Sequence, residues 1–374
     1  MRIGLFAHRL AQSDATGVGR YVHELVAALA AIAVDDAITV ATTPEGEPTG
    51  WVPPRVRERV VPWPRRPVQL AWCLGTGPRL ERALGELDVV HLLHPFPPVR
   101  CSAPLVASVH DLFPLERPDW FRRSERWTYR RSLELVVRRA RRIVVPSSYA
   151  ADRVSAVLQV PPARVEVVPL GLGGSFAAAV PEPEIDACCR RYGLERGGYA
   201  VSVGAVSTRK NVVALVRAAG RPDAHRLPLV LVGGDGHGAA AVDAEITRLD
   251  GRGRVVRTGY LPDRDVAALV HGAAVLAHPA LAEGFGMVPL EAMAAGTPVI
   301  AARTSSIPEV VGDAARLVDA PEDPASWARA LGELIDSADE RRELARAGRR
   351  RAADFSWERT AQAMLGIYAD AARG

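Results

Sequence analysis

Short apolar runs alternate with longer amphipathic stretches along most of the chain. In the first half the runs fall at 3–7, 38–41, 89–93, 105–109, 143–145 and 165–168. In the second half they fall at 200–203, 229–232, 255–257, 275–277, 299–302 and 316–318. Runs this short and this continuously apolar predict parallel strands, buried on both faces and joined by crossover helices. Between the second-half runs, apolar spacing predicts helices at 212–219, 239–249, 263–271 and 288–295. Residues 169–174 are rich in glycine and lead through alanines to Pro181-Glu182-Pro183, which reads as a hinge rather than an element. Beyond it, 324–337, 339–355 and 357–372 are helical in pattern with no strand between them. The expectation is an α/β chain of two doubly wound units, at 1–170 and 171–355, with a final helical segment at 356–374 that must pack on something.

The 374-residue length fits two domains, and 48% hydrophobic with 24% charged residues is a globular composition. No apolar run approaches the roughly 18 residues of a membrane span, and His8 and Arg9 interrupt the N-terminal run too soon for a signal peptide. Cys73, Cys101, Cys188 and Cys189 lack metal-ligand spacing and read as reduced thiols of a cytoplasmic protein. A net charge of +4 suits an anionic partner: nucleic acid, a membrane surface or a nucleotide. Arginine spread along the whole chain, with no recognition motif, argues against nucleic acid. Of the 47 basic residues one is lysine, Lys210, and the one asparagine, Asn211, follows it. Such adjacency arises by chance in roughly one chain in 190, so the pair points to a site.

Parallel sheets bind ligands at the carboxyl ends of their strands. After the first run, Gly17-Val18-Gly19-Arg20-Tyr21 opens a helix, where glycine permits close approach or simply a positive φ. His110-Asp111 follows the run at 105–109, where the histidine can face a cleft or make a structural hydrogen bond. Gly204 and then Arg209-Lys210-Asn211 follow the run at 200–203 and precede a helix, a plausible diphosphate clamp against the alternative of a solvated pair. Asn211 is expected to help start that helix. The glycine-rich loop at 233–238 is a weak signal. After the run at 275–277, Glu283 and Glu291 stand on either side of Phe285-Gly286-Met287-Val288. Pro289 suits a first helical turn, in which Glu291 is also placed, and the amides near 286–288 suit phosphate oxygens.

Together these residues resemble the retaining GT-B glycosyltransferases of family four, and most of all its polysaccharide mannosyltransferases. The resemblance is carried by Gly17 to Tyr21, His110-Asp111-Leu112-Phe113-Pro114, Pro146-Ser147-Ser148, Gly204 with Arg209-Lys210-Asn211, and the E-x7-E spacing of Glu283 and Glu291. Ser305-Ser306-Ile307-Pro308-Glu309-Val310 and Phe355-Ser356-Trp357 follow in order. It implies two Rossmann-like domains facing across a cleft, acceptor-binding first and nucleotide-sugar-binding second, with the last helix crossing back onto the first. It also implies a metal-independent transfer with no cofactor, GDP-mannose being the first donor and UDP- or dTDP-hexoses next. Arg209 and Lys210 would neutralise the leaving diphosphate, Glu283 hold donor-sugar hydroxyls, and Glu291 bind the ribose. His110 would lie near the sugar, Gly17 or Gly19 near phosphate and acceptor, and Leu261 with Tyr260 beside the base. Pro279-Ala280-Leu281-Ala282 and Ser207-Thr208 depart from the family's usual pattern.

The acceptor is a hydroxyl of unknown type, its pocket expected on loops at 42–77. Residues 119–142 hold nine arginines with Trp120, Phe121, Trp127 and Tyr129. As a helix, this stretch either packs its aromatics on its own domain or makes a weak peripheral contact with the inner face of a membrane. A sugar phosphorylase and a nucleic-acid binder are the rival functions.

Overall fold

The computed structural model describes residues 1–7, 17–43, 51–121, 123–222, 227–251 and 253–373. The loop at 8–16 after the first strand, and 44–50 within the expected acceptor region, lie outside the described residues. The chain forms two compact units, Met1–Gly171 with Ser356–Gly374, and Leu172–Phe355.

The first unit is built on β1 (Arg2–Phe6), β2 (Ala37–Thr42), β3 (Arg57–Val60), β4 (Val89–Leu92), β5 (Leu105–Ser108), β6 (Arg142–Val145) and β7 (Val165–Val167). All pairs are parallel, in the order β3-β2-β1-β4-β5-β6-β7. The second unit carries β8 (Ala200–Val203), β9 (Leu229–Val232), β10 (Val255–Gly259), β11 (Val275–His278), β12 (Val299–Ala302) and β13 (Arg316–Val318), also all parallel, in the order β10-β9-β8-β11-β12-β13. Every residue of β4, β5, β9, β11 and β12 is buried, as strands covered on both faces must be. The order reverses between β1 and β4 and again between β8 and β11. Loops leaving neighbouring strands part at such a reversal and leave a crevice.

All twelve expected strands form, with ends moved by at most two residues. The thirteenth, β3, reads Arg57-Glu58-Arg59-Val60 and is mostly exposed. A charged edge strand has no apolar run to betray it. The hinge expectation needs correction. Pro181-Glu182-Pro183 opens a helix, Glu182–Arg191, with Pro183 in its first turn, where no intrahelical N–H is needed. Gly174–Ala177 makes a single helical turn before it.

The stretch at 119–142 folds largely as a helix, Arg123–Arg139. Trp120 is buried with the Arg117 guanidinium over its ring at 4.0 Å, and the Tyr129 hydroxyl donates to Asp111 O at 2.8 Å. Arg131 donates to Cys73 O and Arg141 to Ala371 O. Much of the stretch is thus tied to its own unit, while Trp127 stands 56% exposed.

The helices Pro324–Asp336 and Ala338–Ala352 belong to the second unit, where Trp327 is fully buried. The last helix, Trp357–Arg373, belongs to the first and packs on the helix Gly17–Ile32. Its buried face is Trp357, Thr360, Ala361, Met364, Tyr368 and Ala371. Thr360 Oγ1 donates to Pro169 O at 2.8 Å. A Cβ on Gly171 would lie 2.2 Å from Trp357 N, so this glycine lets the returning chain pass against the departing one.

Candidate functional site

β8 and β11 are paired neighbours where the second sheet reverses. The loop after β8 carries Gly204, Arg209, Lys210 and Asn211, and the loop after β11 carries Glu283, Phe285 and Gly286. The two are stitched together. Leu281 N donates to Arg209 O at 2.9 Å, and Arg209 Nη1 to Ala282 O at 2.8 Å. The Asn211 amide donates to Pro279 O at 3.2 Å and to Pro321 O at 2.7 Å. Asn211 precedes the helix Val212–Ala219 but its side chain caps nothing; it sits in the left-handed region at φ 51° and ties three loops together. That corrects the expected capping role. Asparagine is one of the few residues that tolerates this backbone while offering an amide donor.

The stitching brings the expected clamp onto one carboxylate. Lys210 Nζ lies 2.6 Å from Glu283 Oε1, and Arg209 Nη1 lies 3.0 Å from Oε2. Lys210 and Glu283 side chains are each 14% exposed. The Glu283 backbone is held on both sides: its N–H donates to Ser305 Oγ at 2.8 Å, and its carbonyl accepts from Ser306 Oγ at 2.8 Å. Gly204, at φ 132°, lets the Lys210 stem pass; a Cβ there would lie 3.1 Å from Lys210 Cε. The glycine-rich loop at 233–238 turns out to be scaffold for this one. Val206 N donates to Gly234 O, Gly236 N to Val206 O, and Thr208 N to His237 O.

Gly286 precedes the helix Met287–Ala295 at φ 121°, and no side chain caps that helix start. Met287 and Val288 are half-buried in its first turn. Glu291 lies one turn further in than expected and is buried, 3% exposed, so it is not a helix-start residue favoured by the dipole. Its charge still reaches Lys210. The Phe285 ring packs edge-on against Phe355 at 5.7 Å, so its side chain belongs to the core. Leu261 is half-buried just beyond β10, beside the exposed Tyr260.

In the first unit His110 follows β5, and its Nε2 lies 3.0 Å from Leu93 O. A carbonyl accepts only, so Nε2 carries the hydrogen and the neutral ring offers Nδ1 as acceptor. Tyr21 meets the His110 ring edge-on at 4.6 Å. Gly17 and Gly19 lie inside the helix Gly17–Ile32 without positive φ. Among the described residues, nothing lies within 4 Å of where a Cβ on Gly17 would stand.

Electrostatics follow from burial and pairing. Burial pushes the Glu283 carboxyl up, but the Lys210 and Arg209 charges outweigh it and hold the group well below the usual carboxylate range. Burial lowers the Lys210 ammonium, with Glu283 opposing. Burial likewise lowers His110, against the hydrogen bond to Leu93 O. Among the described residues no group of three His, Cys, Asp or Glu side chains is placed to hold a metal ion. No described helix is long and apolar enough to cross a membrane, and the four cysteines are unpaired thiols.

Residues 15–172 match the Glycosyltransferase Family 4 profile, and residues 192–351 match Glycosyl transferases group 1. A D-inositol 3-phosphate glycosyltransferase from Salinispora arenicola is 32% identical over 97% of this chain and 89% of its own length. The chain belongs to the family 4 glycosyltransferases. An MMP alpha-(1->4)-mannosyltransferase from Mycolicibacterium hassiacum is 32% identical to this transferase over 76% of the chain and 71% of its own length. Among solved structures, HepE from Anabaena in complex with UDP and glucose superposes with a TM-score of 0.78 at 19% identity, covering 99% of this chain and 100% of that one. WaaG, a glycosyltransferase involved in lipopolysaccharide biosynthesis, gives 0.73 at 18% identity, covering 98% and 99%. These superpositions show the GT-B fold.

Within the transferase, sequence reasoning did not assign roles to Ser305, Ser306 and His278. The two serines are legible only through their contacts with the Glu283 backbone. His278 was visible as a polar residue ending an apolar strand, and its Nε2 lies 3.4 Å from Glu283 Oε1.

Proposed function

We propose that this enzyme moves a hexose from a nucleotide sugar to a hydroxyl acceptor, with retention of anomeric configuration and without a metal. The observation that carries this is the Arg209–Lys210–Glu283 cluster at the reversal between β8 and β11. The anomeric C–O bond to the diphosphate breaks and its electron pair stays on the phosphate oxygen. Arg209 and Lys210 neutralise the growing charge as preorganised cations. Glu283 accepts hydrogen bonds from the sugar hydroxyls, and Glu291 binds the ribose diol. Amides at Met287 and Val288 receive phosphate oxygens, with Gly204 and Gly286 keeping the backbone close; Phe285 shapes the loop, and Leu261 borders the base. The acceptor oxygen forms the new C–O bond on the face the diphosphate leaves, and its proton passes to that leaving phosphate. His110, through Nδ1, accepts from a sugar hydroxyl, and Gly17 and Gly19 leave room for phosphate and acceptor.

The mannosyltransferases among its relatives support mannose as the transferred sugar, and GDP-mannose is the first reading of the donor. The UDP and glucose bound by HepE support a UDP-hexose as the second reading. The acceptor is a glycan, a lipid-linked sugar or a small polyol. A weak contact with an anionic membrane through Trp127 and the exposed Arg123 and Arg130 completes the proposal.

Melting curves with GDP, UDP, dTDP and ADP test the donor class, because a ligand of the native state raises the transition by mass action. Selective stabilisation by GDP is expected; selective stabilisation by UDP would replace mannose with the second reading. Lys210→Ala is expected to keep the fold and lose most turnover, with activity in EDTA close to that without it. Wild-type turnover in Lys210→Ala sinks the clamp.

A further inference from the structure

His278 ends β11 and is 1% exposed. Its Nε2 is buried without a hydrogen bond and faces Glu283 Oε1 across 3.4 Å, beyond the usual bonding distance. A carboxylate accepts and never donates, so the facing nitrogen carries the hydrogen. Leaving a buried N–H unsatisfied costs stability, and such exceptions ask for an explanation.

The explanation lies in what Glu283 does when the proposed donor enters. In this structure Oε1 is held by Lys210 at 2.6 Å and Oε2 by Arg209 at 3.0 Å. Both cations have a second task, the diphosphate. Once they turn to it, a carboxylate that is 14% exposed loses both partners together. His278 is fixed at the end of a buried strand, a few tenths of an ångström from closing a hydrogen bond.

We infer that His278 is a positioning residue: it takes over Glu283 as donor binding draws Lys210 and Arg209 onto the diphosphate, and keeps the carboxylate ionised and aimed at the sugar hydroxyls. This rests on the proposed roles of Arg209, Lys210 and Glu283. Burial, reinforced by the Lys210 and Arg209 charges and opposed by Glu283, keeps the imidazole neutral, so it serves as a hydrogen-bond donor rather than a counter-charge. The charged groups acting on the cluster are Lys210 and Arg209 from the β8 loop, Glu283 from the β11 loop and Glu291 from the helix that follows.

The test compares His278→Leu, His278→Gln and Glu283→Gln in the full chain. GDP binding is measured by calorimetry, and release of GDP from GDP-mannose, with water as acceptor, gives kcat across pH. UDP and UDP-glucose replace them if the melting panel selects UDP. His278→Leu is expected to bind GDP within about twofold of wild type and to lose roughly 10- to 100-fold in kcat, the range of one hydrogen bond to a charged group. Its acid limb moves to higher pH, because Glu283 loses the donor that favours its ionised form. His278→Gln, whose amide restores an N–H toward Glu283, recovers most of both. Should His278→Leu fail to fold, His278→Asn replaces it, since its shorter amide withdraws the N–H. Wild-type kcat in His278→Leu overturns the inference. So does an equal loss in His278→Gln with no pH shift, which would mean packing alone. Glu283→Gln separates the two levels: inactivity there beside a normal His278→Leu removes only this inference, whereas normal turnover in Glu283→Gln removes the donor reading beneath it.

Discussion

Lys210 and Asn211 are singled out by the same count, and the structure separates their reasons. Lys210 reaches a carboxylate past a glycine; Asn211 bears the load of three loops. Asn211→Gly keeps the left-handed backbone but loses two hydrogen bonds, an expected cost of about 2 kcal/mol. Asn211→Ala adds roughly 1 kcal/mol more for a Cβ in that conformation. Melting temperatures should therefore rank wild type, Gly, Ala; three equal values would refute the assignment. Lys210→Arg asks whether a compact ammonium matters, and a loss of turnover with the fold intact is expected because the planar fork does not fit past Gly204. His91 offers a third residue-level check. It bridges Tyr368 Oη at 2.7 Å and Ser108 Oγ at 2.8 Å, and Ser108 in turn meets Tyr21 Oη at 2.8 Å. Burial pushes its imidazole down from 6.5 to about 3. Between those values the unfolded chain takes a proton that the native state refuses, so stability falls as pH falls. The expected slope from this residue is about 1.4 kcal/mol per pH unit. Urea unfolding at several pH values should show that increment in wild type and not in His91→Gln.

At the scale of elements, Gly286 decides where a helix begins. A Cβ there would lie 2.8 Å from Ile307 Cδ1, on a backbone at φ 121°. Gly286→Ala is expected to cost roughly 1–3 kcal/mol and to weaken nucleotide binding, because the start of the helix Met287–Ala295 must shift. Unchanged melting and GDP affinity would show that the turn adapts freely. Strands were legible in the sequence wherever both faces are covered, since burial forces a continuous apolar run. The edge strand β3 was not, because exposure frees it from that constraint. The helix Glu182–Arg191 was hidden by two prolines that mark its start rather than a linker. At the site, charges at strand ends were legible because parallel topology dictates where ligands lie. What escaped were groups acting through the backbone or through contacts across 73 residues of chain, such as Lys210 to Glu283.

At the scale of the molecule, the second unit is one continuous segment, Leu172–Phe355, with Leu172 N donating to Phe355 O where its ends meet. Arg209, Lys210, Glu283 and Glu291 all lie within it. A fragment spanning 172–355 is expected to fold and to bind the nucleotide within a few-fold of the full chain while releasing no sugar. Failure of the folded fragment to bind would move the donor site elsewhere. The first unit has no such independence, because its last helix buries Trp357, Ala361, Met364 and Tyr368. At about 1.5–3 kcal/mol per large side chain, deleting 356–374 is expected to unfold that unit and leave the second standing, visible as loss of one of two calorimetric transitions.

That discontinuity has a consequence for synthesis. Ribosomes deliver the chain in order, so the helix that covers Gly17–Ile32 emerges only after the whole second unit has been made. The 184 residues between Gly171 and Ser356 take about 10–40 s at ordinary elongation rates. During that interval the first seven-stranded sheet waits with an apolar face uncovered. The nascent chain should therefore be a chaperone client until its final turn of helix closes the fold that its first residues began.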